Sequence, residues 1–173
     1  KGLAAGYLPL GAAVYSNTVA AAIGIPQTGH TFTGHTACCA AGVAVQKIVT
    51  REKLVERVAA NESKLRNMLA NAFAGVEAVG DIRGRGYFMA VELVANAKTK
   101  APFDANLKLA LNIRAQALEN GLICYPVGGN VDGLNGDVVI IAPPYNASDA
   151  ELTEIVDKMA TSVKHVLKHA GAM

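Results

Sequence analysis

The sequence predicts an α/β protein in which a close-packed first segment is followed by a small α+β domain. Two observations lead to this prediction. Small and apolar residues dominate the first 50 positions, which suits a segment that packs closely against other parts of a protein. After residue 75, strand and helix patterns alternate. Hydrophobic residues make up 51% of the 173 positions and charged residues 17%, a composition that excludes disorder.

The first predicted element is a tight loop over residues 1–12, KGLAAGYLPLGA, because glycine, alanine and proline together favour close turns. Residues 13–15 are a short strand candidate. A brief helix capped by Asn17 or Thr18 is then expected to end at Ile23.

One long helix is predicted from Gly34 to Gly75. Its first half is almost entirely small or apolar, whereas its second half is amphipathic. The apolar face of that second half carries Leu54, Val58, Leu65 and Leu69. Because a helix that changes from buried to half-exposed often bridges two domains, we expect it to link two domains, with residues 51–74 as its second half. Residues 75–173 would then form the small domain.

Three strands are predicted in the small domain. The first, Tyr87 to Val94, is entered through a glycine-rich turn at residues 83–86. The second spans residues 122–125, and the third runs from Val138 to Ala142. A double proline follows the third strand and ends it.

Two amphipathic helices complete the small domain. The first covers residues 104–120, with Gly121 as its stop. Its predicted inward residues are Leu107, Ala110, Leu111, Ala117 and Leu118. The last helix begins at a capping box formed by Ser148 and Glu151. Its predicted buried stripe is Leu152, Ile155, Met159, Val163 and Leu167.

Charge and cysteine content narrow the class of function. The net charge is +2 and the basic residues are scattered, so we expect no nucleic-acid partner. No apolar run is long enough to cross a bilayer, so we expect no membrane. Three cysteines do not make a disulfide framework, and a reducing cytoplasm is the expected compartment. Because Lys1 stands where an initiator Met would be, we expect a piece of a longer polypeptide.

The segment from Thr31 to Thr36 and the residue Lys1 are the first candidates for chemistry. Hydroxyls and a glycine directly before a helix can bind phosphate through free N–H groups, although Thr33 could equally be only an N-cap. Lys1 is followed by small residues, so a planar ligand could reach its amine. Alternatively, Lys1 is simply exposed.

Three further groups leave both a functional and a structural interpretation open. His30, His35, Cys38 and Cys39 have spacing that could suit a metal, but cysteines on an alanine-rich helix face usually behave as small hydrophobes, so no metal site is predicted. Arg83 and Arg85 could bind a carboxylate, or be solvated or structural residues of a turn before a strand, which we favour for at least Arg85. The glycine-rich loop at residues 128–137 could pass near a ligand, or be a long hairpin connection.

Four segments together resemble the class III (ω-type) aminotransferases, in the same order and over nearly the whole chain. KGLAAGYLPLGA resembles the family's cofactor-lysine segment, and GHTFTGHTACCAA resembles its His-Thr-Phe/Tyr-Ser/Thr-Gly-His-Pro segment, with Thr36 in place of the usual proline. GDIRGRGYFMAVELV resembles a strand of the small domain. GLICYPVGGNVDGLNGDVVIIAPPYN resembles a C-terminal segment found in one subset of these enzymes.

This resemblance implies a fold-type I enzyme dependent on pyridoxal 5′-phosphate. Residues 1–50 would be the end of its large domain with the start of the linking helix, residues 51–74 the rest of that helix, and residues 75–173 the small domain. It places Lys1, which would form the Schiff base, together with His30 and Thr31 in the cofactor site, with Thr31 reaching the cofactor phosphate of the neighbouring subunit of a homodimer. The implied reaction transfers an amino group from an amine or ω-amino acid to an α-keto acid.

Two departures qualify what the resemblance implies. Some family members carry an arginine that binds substrate carboxylates near position 123, where this chain has Cys124 and Tyr125. The family's ring-stacking aromatic, its acidic partner of the pyridine nitrogen and its phosphate-binding turn precede the lysine, so the chain alone is expected to be inactive. Aminomutase, racemase or decarboxylase chemistry on the same scaffold, and a non-catalytic structural or metal-binding role, are the alternatives.

Overall fold

The computed structural model describes residues 1–25 and 29–172 and divides the chain into two compact units, Lys1–Val55 and Glu56–Met173. The domain limits expected from the sequence stay a prediction. Within the described ranges, no helix is both long enough and apolar enough to cross a membrane.

The first unit contains α1 (Asn17–Ile23) and α2 (Thr36–Arg51). The short helix before Ile23 is confirmed, but its N-cap is Ser16, whose hydroxyl accepts the Val19 N–H at 3.4 Å. The predicted strand at residues 13–15 is wrong. A strand requires a hydrogen-bonded neighbour, and all the strands of the described residues lie in the second unit.

The single long helix predicted from Gly34 to Gly75 is wrong, because it is interrupted between α2 and α3 (Leu54–Ala72). Lys53 has a left-handed backbone with φ +50°, which breaks the repeating pattern of helical hydrogen bonds. The Glu52 N–H still bonds to the Ile48 carbonyl and closes α2. Neither Gly nor Pro marks this break in the sequence.

The second unit is built on a four-stranded antiparallel sheet in the order β1-β2-β4-β3. Its strands are β1 (Val79–Arg85), β2 (Phe88–Leu93), β3 (Tyr125–Gly128) and β4 (Asp137–Ile141). The predicted strands corresponding to β2 and β4 are therefore confirmed to within a residue at each end.

Two features of the sheet differ from the predictions. Residues 83–85 belong to β1, and the turn into β2 lies at Gly86 and Tyr87 rather than at residues 83–86. The strand predicted at residues 122–125 begins three residues later, at Tyr125. Leu122 instead completes the helix end, where its N–H bonds to the Ala117 carbonyl at 2.8 Å.

The helix predicted over residues 104–120 is a 3₁₀ turn at Ala105–Leu107 followed by α4 (Leu109–Glu119). Lys108 separates the two with a left-handed φ of +50°. As a result, a different set of α4 side chains faces the core than a continuous helix would place there. The buried residues of α4 are Leu109, Ala110, Ile113 and Ala117. The predicted inward positions of Leu111 and Leu118 are wrong, since these side chains are 57% and 66% exposed.

The last helix, α5 (Asp149–His169), matches its prediction closely. Ser148 and Glu151 form the expected capping box. Of the predicted stripe, Ile155 is half-buried, and the buried members are Leu152, Met159, Val163 and Leu167. These side chains pack in one core with α3, α4 and the inner face of the sheet, which carries Met89, Val91, Leu93, Val139 and Ile141.

Candidate active site

Lys1 is exposed at the start of a loop that folds into two successive turns. The Ala5 N–H bonds to the Gly2 carbonyl at 3.0 Å, and the Tyr7 N–H bonds to the Ala4 carbonyl at 2.9 Å. Gly2 and Ala5 both have positive φ, +76° and +48°. The tight loop predicted here is confirmed, and a left-handed alanine within it is a mark of local strain.

This loop is attached to α2 by one hydrogen bond and one packing contact. Gln46 Nε2 donates to the Leu3 carbonyl at 3.1 Å. One turn earlier on α2, Gly42 is buried and the Leu10 side chain lies directly against it. Ala4 is 2% exposed, the lowest value in the loop. The backbone next to Lys1 is therefore fixed to a 16-residue helix.

The predicted phosphate segment forms a closed turn before α2. The Thr33 N–H donates to the His30 carbonyl at 2.8 Å, and the Thr33 hydroxyl accepts the His30 N–H at 3.1 Å. Thr33 is thus not the N-cap of α2. That position belongs to His35, whose Nδ1 accepts the Cys38 N–H at 3.4 Å because Gly34, with φ +72°, turns the chain there.

The structure places His30 and Thr31 side by side in this exposed turn, while Lys1 lies in the preceding segment. Among the described residues, no hydrogen bond or ion pair joins Lys1 to either of them. The Thr31 hydroxyl likewise takes part in none of the side-chain hydrogen bonds found there. Since the resemblance assigns Thr31 to the site of a neighbouring subunit, one chain is not expected to bring Lys1 and Thr31 together.

The possible metal ligands near the start of α2 have other surroundings. His35 uses Nδ1 as a cap, and its ring meets Phe32 edge-on at 5.7 Å between centroids. Cys38 is buried and Cys39 exposed. Over residues 1–25 and 29–172, no three His, Cys, Asp or Glu side chains are grouped so that they could hold a metal ion.

Arg83 and Arg85 lie on β1 in different surroundings. Arg83 pairs with Asp81 at 3.1 Å and with Glu92 on the neighbouring strand. The hydrogen bond to Glu92, followed by that to Asp81, raises the pKa of Arg83 above its usual value. Arg85 forms no ion pair within the described residues. Arg85 is exposed, which agrees with the solvated or structural interpretation favoured for it, and the ion pairs of Arg83 give that residue a structural role as well.

The glycine-rich loop at residues 128–137 joins β3 to β4, so the hairpin interpretation is confirmed. It is closed internally by the Gly129 N–H to the Gly136 carbonyl at 2.8 Å. Asp132 accepts hydrogen bonds from the backbone of Leu134 and from the backbone and side chain of Asn135. These bonds, led by that from the Asn135 side chain, lower the pKa of Asp132 to about 2.

The position of the family's carboxylate-binding arginine falls beside β3. Tyr125 begins that strand and is 64% exposed, and burial raises the pKa of the preceding Cys124 thiol. The Arg114 side chain reaches the same place from α4 and donates to the Pro126 carbonyl at 3.2 Å. This guanidinium is thus already engaged with the backbone.

The sequence reasoning did not single out Asp137 or Gln46. Asp137 is buried at the first position of β4, and its Oδ1 accepts the Ala110 N–H at 3.0 Å. It thereby caps α4, whose own N-cap residue Lys108 supplies no side-chain bond. Burial raises the pKa of Asp137, and the bond from Ala110 opposes this. The sequence could have indicated Asp137, because an aspartate stands at the start of an apolar strand there, whereas no local pattern indicates a role for Gln46.

Comparison with known proteins identifies the family. Residues 1–163 match the family described as aminotransferase class-III. An aminotransferase of Gibberella zeae is 37% identical over 168 residues, and the uncharacterized aminotransferase YodT of Bacillus subtilis is 34% identical over 173 residues. These alignments cover 94% and 98% of this chain. The chain belongs to the class-III aminotransferases.

Solved structures agree with this membership. A transaminase from the marine bacterium Virgibacillus has a TM-score of 0.87 at 29% identity, over 98% of this chain and 38% of its own. A thermostable (S)-enantioselective ω-transaminase from Thermomicrobium roseum has a TM-score of 0.82 at 29% identity, over 96% of this chain and 36% of its own. The predicted fold class, fold-type I, is confirmed. The chain spans 33% and 39% of the lengths of the two relatives above.

Proposed function

We propose that this chain supplies the cofactor lysine and the small domain of an aminotransferase dependent on pyridoxal 5′-phosphate. The enzyme would move an amino group from an amine or ω-amino acid to an α-keto acid. The observation that carries the proposal is the family match, which starts at Lys1 and extends to residue 163. Relatives with named reactions support it, since one is a diaminobutyrate–2-oxoglutarate transaminase at 31% identity.

The residues present fit the cofactor in two roles, covalent attachment and phosphate binding. Lys1 offers an exposed primary amine, and a Cβ built on Gly2 or Gly6 meets no atom within 4 Å, so a planar ring could approach the loop. Thr31 offers an exposed hydroxyl, a suitable donor to a phosphate. His30 lies beside it in the same closed turn. We assign all three residues to the cofactor site.

Lys1 would act first as the covalent attachment point and then as the proton carrier. When bound, the cofactor ring takes up the electron pair released at the substrate α-carbon. When not bonded to the cofactor, the Lys1 Nζ would accept the proton from the substrate α-carbon and give it back later in the reaction. Thr31 would hold the phosphate, so that the distance from the ring to Nζ stays fixed.

Exposed apolar side chains support a larger, dimeric enzyme. In the first unit Val14 and Ile25 are 94% and 89% exposed, and Tyr7 and Phe32 are also largely exposed. Apolar surface on this scale usually marks an interface. We propose a homodimer in which Thr31 serves the neighbouring subunit's cofactor, with small-molecule amines and keto acids as substrates. The free cysteines support a cytoplasmic location.

The test uses the full-length polypeptide that carries this chain. After incubation with pyridoxal 5′-phosphate and borohydride, peptide mass spectrometry should find the reduced cofactor on Lys1. Lys1→Ala should remove the adduct, and the matched control Lys47→Ala, at an exposed position on α2, should retain it. An unmodified Lys1 in a folded protein would contradict the assignment.

A product assay then separates the reaction classes. With an amine donor and pyruvate, we expect alanine and the oxidised donor in equal amounts. Racemised, rearranged or decarboxylated products without alanine would instead show the alternative chemistries of the same scaffold.

A further inference from the structure

One face of α2 contacts the segment that follows Lys1. Cys38, Gly42 and Gln46 follow one another at intervals of four, so they lie on the same side of the helix. Cys38 and Gly42 are buried, and Gln46 donates to the Leu3 carbonyl at 3.1 Å. This receiving face begins one turn after the His35 cap.

The packing at Gly42 brings the loop close to the helix. A Cβ at position 42 would overlap the Leu10 Cδ2 atom, and it would lie 3.9 Å from the Leu3 carbonyl oxygen. The absence of a side chain at Gly42 therefore makes room for the Leu10 side chain, whereas the Leu3 carbonyl lies at an ordinary contact distance. Ala4, between these two contacts, is 2% exposed.

The hydrogen bond from Gln46 reaches the main chain two residues beyond Lys1. A chain of two residues spans at most about 7 Å, so fixing the Leu3 carbonyl restricts where the lysine Cα can lie. The turn from Gly2 to Ala5, closed at 3.0 Å, makes the intervening backbone stiff. We propose that Gln46 is a positioning residue that sets the place of Lys1 through the Leu3 carbonyl. This inference rests on the proposed function of Lys1.

The expected consequence is on cofactor attachment. If the loop is released, the Lys1 amine spends less time where it can bond to the cofactor, and more cofactor is needed for the same occupancy. A neutral hydrogen bond contributes enough to change an equilibrium by about two- to tenfold.

The experiment titrates full-length enzyme with pyridoxal 5′-phosphate, fixes the attached cofactor with borohydride and measures the labelled fraction of Lys1. Gln46→Met removes the donor but keeps side-chain length and helix propensity. Gln46→Arg restores an N–H donor at the same position. Gln116→Met is the matched control, because Gln116 lies on α4 and donates to Asn120 at 3.5 Å. Thermal unfolding of each variant reports its stability.

We expect Gln46→Met to raise the cofactor concentration for half-labelling by about two- to tenfold. Gln46→Arg should return it to within about twofold of the wild type, and Gln116→Met should leave it unchanged. A Gln46→Met curve that coincides with the wild type would overturn the inference, as would an equal shift in Gln116→Met or no recovery with Gln46→Arg. Failure of the wild type itself to be labelled at Lys1 would instead refute the proposed function.

Discussion

A substitution at Gly84 tests whether the β1–β2 hairpin requires a residue without a side chain at this position. It has φ +151° and pairs with Met89 across β1 and β2. A Cβ at this position would overlap the Phe88 carbonyl oxygen and lie 2.8 Å from Met89 Cα. Both neighbours are backbone atoms of the adjacent strand, so they cannot rotate away. The Gly84→Ala substitution must therefore separate the two strands.

The loss of stability in Gly84→Ala can be compared with that at a glycine where a side chain would strain the backbone but overlap no atom. Gly133 has φ +92°, and a Cβ there meets no atom within 4 Å. Gly133→Ala should cost about 1–3 kcal/mol through backbone strain alone. Gly84→Ala adds overpacking of about 1–3 kcal/mol, because Met89 is fully buried, and should cost about 2–6 kcal/mol in total.

The assay is native-state hydrogen exchange on the full-length protein, followed at the amides of β1 and β2. We expect Gly84→Ala to lower the free energy of opening of these amides by about 2–6 kcal/mol, and Gly133→Ala to lower it by no more than about 1–3 kcal/mol. Equal protection of the hairpin in the two variants would show that the steric argument is wrong.

Three more predictions concern the second unit and the proposed dimer. Burial raises the pKa of Asp137 in the folded protein above its ordinary value of 3.8. The protonated side chain therefore contributes to the free energy of unfolding below pH 3.8, and this contribution is lost as the pH rises through the folded pKa. Asp137→Asn should remove this loss, whereas Asp137→Ala should cost about 1 kcal/mol of capping. Equal pH dependence of melting in Asp137→Asn and wild type would refute this. Arg66 donates to the Ile82 and Gly84 carbonyls at 3.1 and 2.8 Å. Arg66→Met should lower hairpin protection by about 2 kcal/mol, measured by hydrogen exchange; no change there would argue against the contact. Mixing inactive Lys1→Ala with Thr31→Ala subunits should restore activity if Thr31 acts on its neighbour's site, and no gain on mixing would contradict that arrangement.

The parts of the fold that the sequence predicted well are those with strong local signals. The α5 helix combines a capping box with an apolar stripe at helical spacing, and both are found. The β2 and β4 strands are apolar runs limited by a glycine or a double proline. In these segments the local preference agrees with the final packing.

Two of the errors fall where a lysine takes a left-handed backbone. Lys53 breaks the predicted long helix, and Lys108 separates a 3₁₀ turn from α4. Each left-handed L-residue costs about 1–2 kcal/mol, which tertiary contacts must outweigh, and no residue type announced it. Once Lys108 shifts the phase of α4, Leu111 and Leu118 turn outward although the spacing placed them inside.

Only those residues of the candidate site that lie in recognisable motifs could be predicted from the sequence. Lys1, His30 and Thr31 follow from quoted segments, whereas the bond from Gln46 to Leu3 joins residues 43 apart. Such a contact depends on how the loop folds back onto α2. Asp137 is similar, since it caps a helix 27 residues earlier in the chain.

The exposure of Lys1 bears on how the whole site must be built. A lysine amine becomes an effective nucleophile when it is shielded from water or placed near cations. In the first unit Lys1 is exposed, and burial in the attached loop is concentrated at Ala4. The loop thus holds the lysine backbone without enclosing its amine. If Lys1 holds the cofactor as proposed, α2 contributes the fixed position of the lysine backbone rather than the enclosure of its amine.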